Sequence, residues 1–144
     1  MVKPVVILCG GFGNRMEIGS NDKPKSMSEI GGKPILWHLL KYFTEYGHNE
    51  FIICLGHLKE KIIQYFERFP QPDKIIHLID TGDGNTSKSQ RLLQIKHLIK
   101  NDSFLLAYGD DLSNVNLKAL LEFHEKNNSD INYSFSCSCR RFRG

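Results

Sequence analysis

The tetrapeptide Val5-Val6-Ile7-Leu8 is an unbroken apolar run that passes through Cys9 directly into Gly10-Gly11-Phe12-Gly13. A strand with no polar face has to be covered on both sides, so it belongs in the middle of a sheet and not at its edge. The glycines that follow strip side chains from the point where the chain leaves that sheet. Backbone N–H groups there are free to approach an anion or a ring edge. A buried central strand feeding a glycine turn therefore predicts a sheet flanked by helices, with a ligand loop at the strand's carboxyl end.

The rest of the chain alternates in the same sense. Phe51 to Leu55, Ile75 to Ile79, Phe104 to Tyr108 and Ile131 to Phe135 read as further strands. Between them, Ile35, Leu36, Leu39, Leu40 and Phe43 recur at helical spacing after Pro34 and before Gly47. Leu58 to Phe69, Leu92 to Ile99 and Leu117 to Lys126, the last capped by Asn116, read as helices too. Cys9 to Lys33 and Asp80 to Gln90 read as polar loops. Strand and helix in turn predict an α/β fold with a mostly parallel sheet, whose ligands sit beyond the strands' carboxyl ends. The loops after Leu8 and after Tyr108 both leave such ends.

At 144 residues the chain has the size of one domain. Its apolar start is too short for a signal segment or a bilayer span, which predicts a cytoplasmic protein without a membrane partner. The four cysteines, Cys9, Cys54, Cys137 and Cys139, lack CxxC spacing, and the six histidines form no HxxxH pair, so free thiols and no zinc are expected. A net charge of +3 suits an anionic ligand and equally suits a domain that merely stays soluble. The basic tail Arg140-Arg141-Phe142-Arg143 reads as a solvated terminus rather than a nucleic-acid patch.

The loop after the first strand is no dinucleotide fingerprint, because GxGxxG counted from Gly11 puts Met16 where the last glycine belongs. Neither is it a Walker A loop: Gly32-Lys33 precedes Pro34 without the upstream glycine. What remains is a glycine turn, Gly10 to Gly13, then Asn14, Arg15 and, later in the same loop, Lys25. Two cations beside a backbone nest suit a triphosphate, the arginine forking onto oxygens and the lysine acting as a point charge. A plain glycine turn with surface cations satisfies the same residues. Asp110, after the Phe104 to Tyr108 strand and beside Asp111, can hold Mg²⁺ against bound phosphate; Gly-Asp-Asp is also ordinary turn chemistry.

Linked motifs decide between these readings. CGGFGNRM at 9 to 16, KPKSM at 23 to 27, EIGGKPILWHLLKYF at 29 to 43, FIICLGH at 51 to 57, DTG at 80 to 82 and AYGDDLSNV at 107 to 115 occur in the order seen in sugar-1-phosphate nucleotidyltransferases. The strings GGKPILWH, ICLG and YGD look most like the glucose-1-phosphate cytidylyltransferase group. The resemblance implies a Rossmann-like nucleotide-diphospho-sugar transferase fold over 1–135, incomplete at its C-terminal end. It implies transfer of a nucleotidyl group from a nucleoside triphosphate, CTP, to a sugar 1-phosphate, glucose 1-phosphate, in nucleotide-sugar supply for polysaccharide.

Carried over by position, the resemblance makes Leu8, Cys9, Gly10, Gly11, Phe12, Gly13, Asn14 and Arg15 the nucleotide loop. Arg15 and Lys25 are its catalytic cations, Arg91 and Gly109 also bind nucleotide, and Asp110 takes Mg²⁺. The chain departs from the pattern where Asn14 replaces Thr or Ser, Asp111 replaces Gly, and Asp83 to Gln90 replaces a glycine-rich stretch before the arginine. The family also runs on past the point where Gly144 ends this sequence, which predicts a truncated or frameshifted product, or a fragment, with weak or no turnover. The stretch SCSCRRFRG, neither apolar enough for a strand nor patterned for a helix, is expected as an irregular tail over 136–144.

Two rivals stand beside this reading. One is a non-catalytic nucleotide-binding module or inactive fragment of the same family. The other, a nicotinamide oxidoreductase, is opposed by Met16 and by Leu55-Gly56, where an acidic residue would close the second strand. A sheet edge left apolar by an early stop predicts self-association into a homo-oligomer.

Overall fold

The computed structural model describes residues 2–11, 23–133 and 137–141, with Tyr133 and 137–141 described by backbone alone. In chain order the elements are β1 (Val5–Leu8), β2 (Glu29–Ile30), β3 (Lys33–Pro34), α1 (Ile35–Glu45), β4 (Glu50–Leu55), α2 (Lys59–Arg68), β5 (Ile75–Asp80), α3 (Lys88–Ile95), β6 (Ser103–Tyr108), α4 (Leu117–Asn127), β7 (Ile131–Tyr133) and β8 (Cys137–Arg141). Six strands make the main sheet, in the order β5-β4-β1-β6-β8-β7. The first four are parallel; β8 runs antiparallel between β6 and β7.

The sequence of β1 explains its central place. Side chains alternate across a strand, so Val5 and Ile7 point to one face and Val6 and Leu8 to the other. On the first face, Val5, Ile7, Phe51 and Ile53 lie under Leu36, Leu39, Leu40 and Phe43 of α1, Ile62 of α2 and Leu117 and Leu121 of α4. On the second, Val6, Ile52, Cys54, Phe104 and Leu106 pack with Ile95 of α3. Each fully buried large side chain here, such as Phe43 or Phe51, contributes about 1.5–3 kcal/mol relative to exposure. The strand order reverses at β1: β4 and β5 are laid down on one side, β6 on the other. The crevice at such a reversal is where this architecture leaves room for a ligand.

Three expectations from the sequence change. The stretch read as one loop from Cys9 to Lys33 contains a 3₁₀ turn, Lys25–Met27, and the small hairpin β2–β3. Gly31 and Gly32, at φ +58° and +77°, make that hairpin's two-residue turn, which demands two left-handed residues. Helix α3 starts earlier than expected, at Lys88, because Ser87 and Gln90 form a capping box in which each side chain accepts from the other residue's backbone N–H. It gives way to a 3₁₀ turn at Lys96–Leu98. Finally, Cys137–Arg141, expected inside an irregular tail, is strand β8, paired with β6 from Ser103↔Arg141 to Ala107↔Cys137.

Candidate functional site

The chain leaving β1 is held from both sides. Cys9 N donates to Cys54 O at 2.9 Å, and Gly109 N donates to Leu8 O at 3.0 Å. Leu8 and Cys9 are buried, Gly10 is buried behind them, and Gly11 is exposed. The ends of β1, β4 and β6 thus converge where the strand order reverses. Of the predicted loop, Phe12, Gly13, Asn14 and Arg15 lie outside the described residues.

Close backbone approach explains the glycines. A Cβ on Gly10 would stand inside the Arg91 guanidinium, and one on Gly56 would meet Gly10 Cα at 2.6 Å. A Cβ on Gly109 would press on Cys9 Sγ and come within 3.1 Å of Ser26 Cβ. The bare Gly109 backbone thus lets the end of β6 lie close against the turn carrying Lys25. Ser26 and Met27 anchor the turn by burial, while Lys25 is exposed at its head. Asp110, next after Gly109, is exposed beside Asp111.

Arg91 is only 2% exposed, and its terminal nitrogens are committed to protein acceptors. Nη1 donates to Leu55 O at 3.0 Å and Thr81 Oγ1 at 2.7 Å; Nη2 donates to Gly10 O at 2.9 Å and to Asp83 O. Gly10 O also accepts from His57 N at 3.4 Å. The arginine therefore reaches the predicted loop through a backbone carbonyl.

Burial pushes both neighbouring thiols up to about 12, Cys9 against the smaller opposing effect of the nearby Ser26 hydroxyl, Cys54 against that of the Arg91 charge. Both remain protonated, so neither is a nucleophile. Burial, and then the Asp110 charge, raises the Asp111 carboxyl, with Lys88 opposing. On the rim, the Lys59 hydrogen bond, followed by that from Gly82 N, holds Asp80 below the usual carboxylate range.

Four contributors escaped the sequence reading. Thr81 and Gly56 serve Arg91 and Gly10, and Ser26 seats Lys25. Lys88 lies with Nζ 4.3 Å from the Tyr108 ring centroid and 3.3 Å from its hydroxyl. Ser26, Gly56 and Thr81 lie inside the motif strings KPKSM, FIICLGH and DTG, which mark the segments without assigning these residues a part, and Lys88 had the signal of the Ser87-x-x-Gln90 cap that starts its helix.

No described helix is long and apolar enough to cross a membrane. Residues 5–133 match the MobA-like NTP transferase domain. The chain is 42% identical to the probable glucose-1-phosphate cytidylyltransferase of Bacillus subtilis and 36% identical to the glucose-1-phosphate cytidylyltransferase of Salmonella typhimurium, each match covering 83% of this chain and 55% of the relative. It superposes on HddC from Yersinia pseudotuberculosis, solved in complex with GMP-PN, with a TM-score of 0.78 and 26% identity, over 90% of this chain and 56% of that one. The chain spans about half the length of the relatives it matches. With the glycine loop at the reversal point of a parallel sheet and a family match over nearly the whole described domain, this chain belongs to the MobA-like NTP transferase domain family.

Proposed function

We propose that this chain forms the nucleotide half of a glucose-1-phosphate cytidylyltransferase site. The observation that carries the reading is the convergence of Gly10, Gly109 and the Lys25 turn at the reversal point of the sheet. The likeness to glucose-1-phosphate cytidylyltransferases of two bacteria supports CTP and glucose 1-phosphate as the substrates. The reaction belongs to the cytoplasm, in supply of an activated sugar for polysaccharide.

A phosphate oxygen of glucose 1-phosphate attacks the α-phosphorus of CTP. The bond from that phosphorus to the bridging oxygen breaks, and pyrophosphate leaves with the electron pair. A phosphate monoester is largely dianionic at neutral pH, its second pKa being about 6, so no general base is needed. Catalysis reduces to alignment and charge neutralisation. Lys25, exposed on an anchored turn, neutralises phosphate at the reacting centre, and Arg15 steadies the β- and γ-phosphates. The backbone at Gly10 and Gly11 admits the nucleotide closely. Arg91 serves it indirectly, by fixing the Gly10 carbonyl and adding a buried positive charge behind the loop.

Asp110 fits Mg²⁺. It is one exposed carboxylate at the end of β6, and among the described residues no group of three metal-ligating side chains surrounds it. A small hard cation held by one carboxylate, phosphate oxygens and water suits that donor set. When bound, Mg²⁺ would supply charge neutralisation on the phosphates.

The test is product formation from CTP, glucose 1-phosphate and Mg²⁺, with the pyrophosphate removed. CDP-glucose that falls at least about tenfold with Lys25→Ala supports the reading. Nucleotide binding without product would assign the chain as a non-catalytic nucleotide-binding module.

A further inference from the structure

We propose a second anion site, in the groove between the β2–β3 hairpin and α2, that takes a small organic phosphate with a ring or apolar body. The groove encloses about 430 Å³, within the usual range for one small ligand. None of Gly10, Lys25, Arg91, Gly109 or Asp110 lines it.

The sequence builds this groove in two pieces. Lys61, Tyr65 and Arg68 stand at i, i+4 and i+7 of α2, so they share one stripe of the helix. Phe69 follows at the helix end. From the other wall, the Gly31-Gly32 turn presents Lys33, with Lys23 beside it in the lining. Among the described residues lining the groove, Glu29 is the single carboxylate beside these four cations.

Among the described residues, none of Lys23, Lys33, Lys61 and Arg68 takes part in an ion pair within 4.0 Å. Two rest on aromatic faces instead. Arg68 lies 5.3 Å from the Phe69 ring centroid, and Lys33 lies 5.9 Å from Phe69 and 5.6 Å from Trp37. Like charges gathered in one concavity repel one another within the Debye length, about 8–10 Å at ordinary salt. An anion relieves that repulsion.

Lysine and arginine together favour phosphate. Tyr65 and Phe69 offer ring faces to the body that carries it. A groove of about 430 Å³ has room for one small molecule, which favours a soluble phosphate ester over an extended polyanion.

Trp37 is the only tryptophan in the chain and lies under Lys33, so it reports on the groove. Phenyl phosphate is the probe, with inorganic phosphate and phenol as comparators and excitation at the red edge of the indole band. The expected result is a saturable change in Trp37 emission with phenyl phosphate, at lower concentration than with either comparator. The double variant Lys61→Ala/Arg68→Ala should weaken it at least about tenfold, and Lys25→Ala should leave it intact. Both groove residues are exposed, so the double variant keeps its thermal midpoint. No saturable change, an undiminished change in the double variant, or loss of the change with Lys25→Ala would each overturn the proposal. Failure of CTP binding with the groove response intact would count against the nucleotide site alone.

Discussion

Arg91 Nη2 donates to the Gly10 carbonyl at 2.9 Å, joining two residues that lie 81 positions apart in the chain. A charge this deeply buried has a large desolvation cost, which the bonds to carbonyls and a hydroxyl offset, with the Asp80 carboxylate adding a longer-range attraction. Arg91→Ala takes one donor from each of Leu55 O, Gly10 O and Asp83 O; Leu55 O keeps Thr81 N and Oγ1, Gly10 O keeps the long bond from His57 N, and the guanidinium's buried volume is left unfilled. Denaturant unfolding should show a loss on the order of 3 kcal/mol. Arg91→Lys should recover only part of it, because one ammonium cannot span the acceptors of a planar fork. A loss below about 0.5 kcal/mol for Arg91→Ala would show that the clamp does not matter.

Gly10→Ala tests the clamp from the other side. The new methyl collides with the guanidinium, so either the loop or Arg91 has to move. Affinity for CTP should fall at least about tenfold, roughly 1.4 kcal/mol. Gly56→Ala, which pushes on Gly10 directly, should act in the same direction. Titration of both variants against the parent checks this, and unchanged affinity in Gly10→Ala would separate loop position from binding.

Ser87→Ala is the control for effects away from the nucleotide. It removes the cap of α3, in which Gln90 N donates to Ser87 Oγ at 3.2 Å. Thermal unfolding should report about 1 kcal/mol of lost stability. CTP affinity should stay at the parent value, and a matching loss there would mean that α3 and the loop move together.

How much was legible in the sequence follows from how local each signal is. Val5–Leu8 and the run at Phe51 to Leu55 announce buried strands because every residue in them is apolar, and both are central strands. The start of α3 was legible in Ser87-x-x-Gln90, yet the polar composition of the stretch around it favoured a loop. Strand β8 was not legible. Its residues, Cys-Ser-Cys-Arg-Arg, carry no strand pattern of their own, and its place comes from pairing with β6 far back in the chain. The site divides the same way. Lys25, Gly109 and Asp110 follow from motif order, while no pattern in the sequence reveals that the Arg91 fork turns toward Gly10 and the strand ends.

Acid should destabilise the fold through His48. Lys3 N reaches His48 Nδ1 at 3.0 Å, and burial lowers the imidazole below its ordinary value of 6.5. The unfolded chain therefore binds more protons than the folded one between those two values, and stability falls as pH falls. The contribution is complete above 6.5 and is lost as pH drops through the lowered folded value. Thermal midpoints taken from pH 8 down to pH 5 should decline more steeply for the parent than for His48→Gln. Equal slopes would remove His48 from the account.

The central claim is that Gly10, Gly109 and Lys25 form a nucleoside triphosphate site. Calorimetric titration of the chain with CTP and Mg²⁺, set beside UTP and dTTP and repeated with Lys25→Ala, tests it most directly. The account predicts saturable binding that favours CTP and weakens at least about tenfold in the variant. A folded chain that binds none of the three nucleotides, or a Lys25→Ala variant that binds CTP as tightly as the parent, would contradict it.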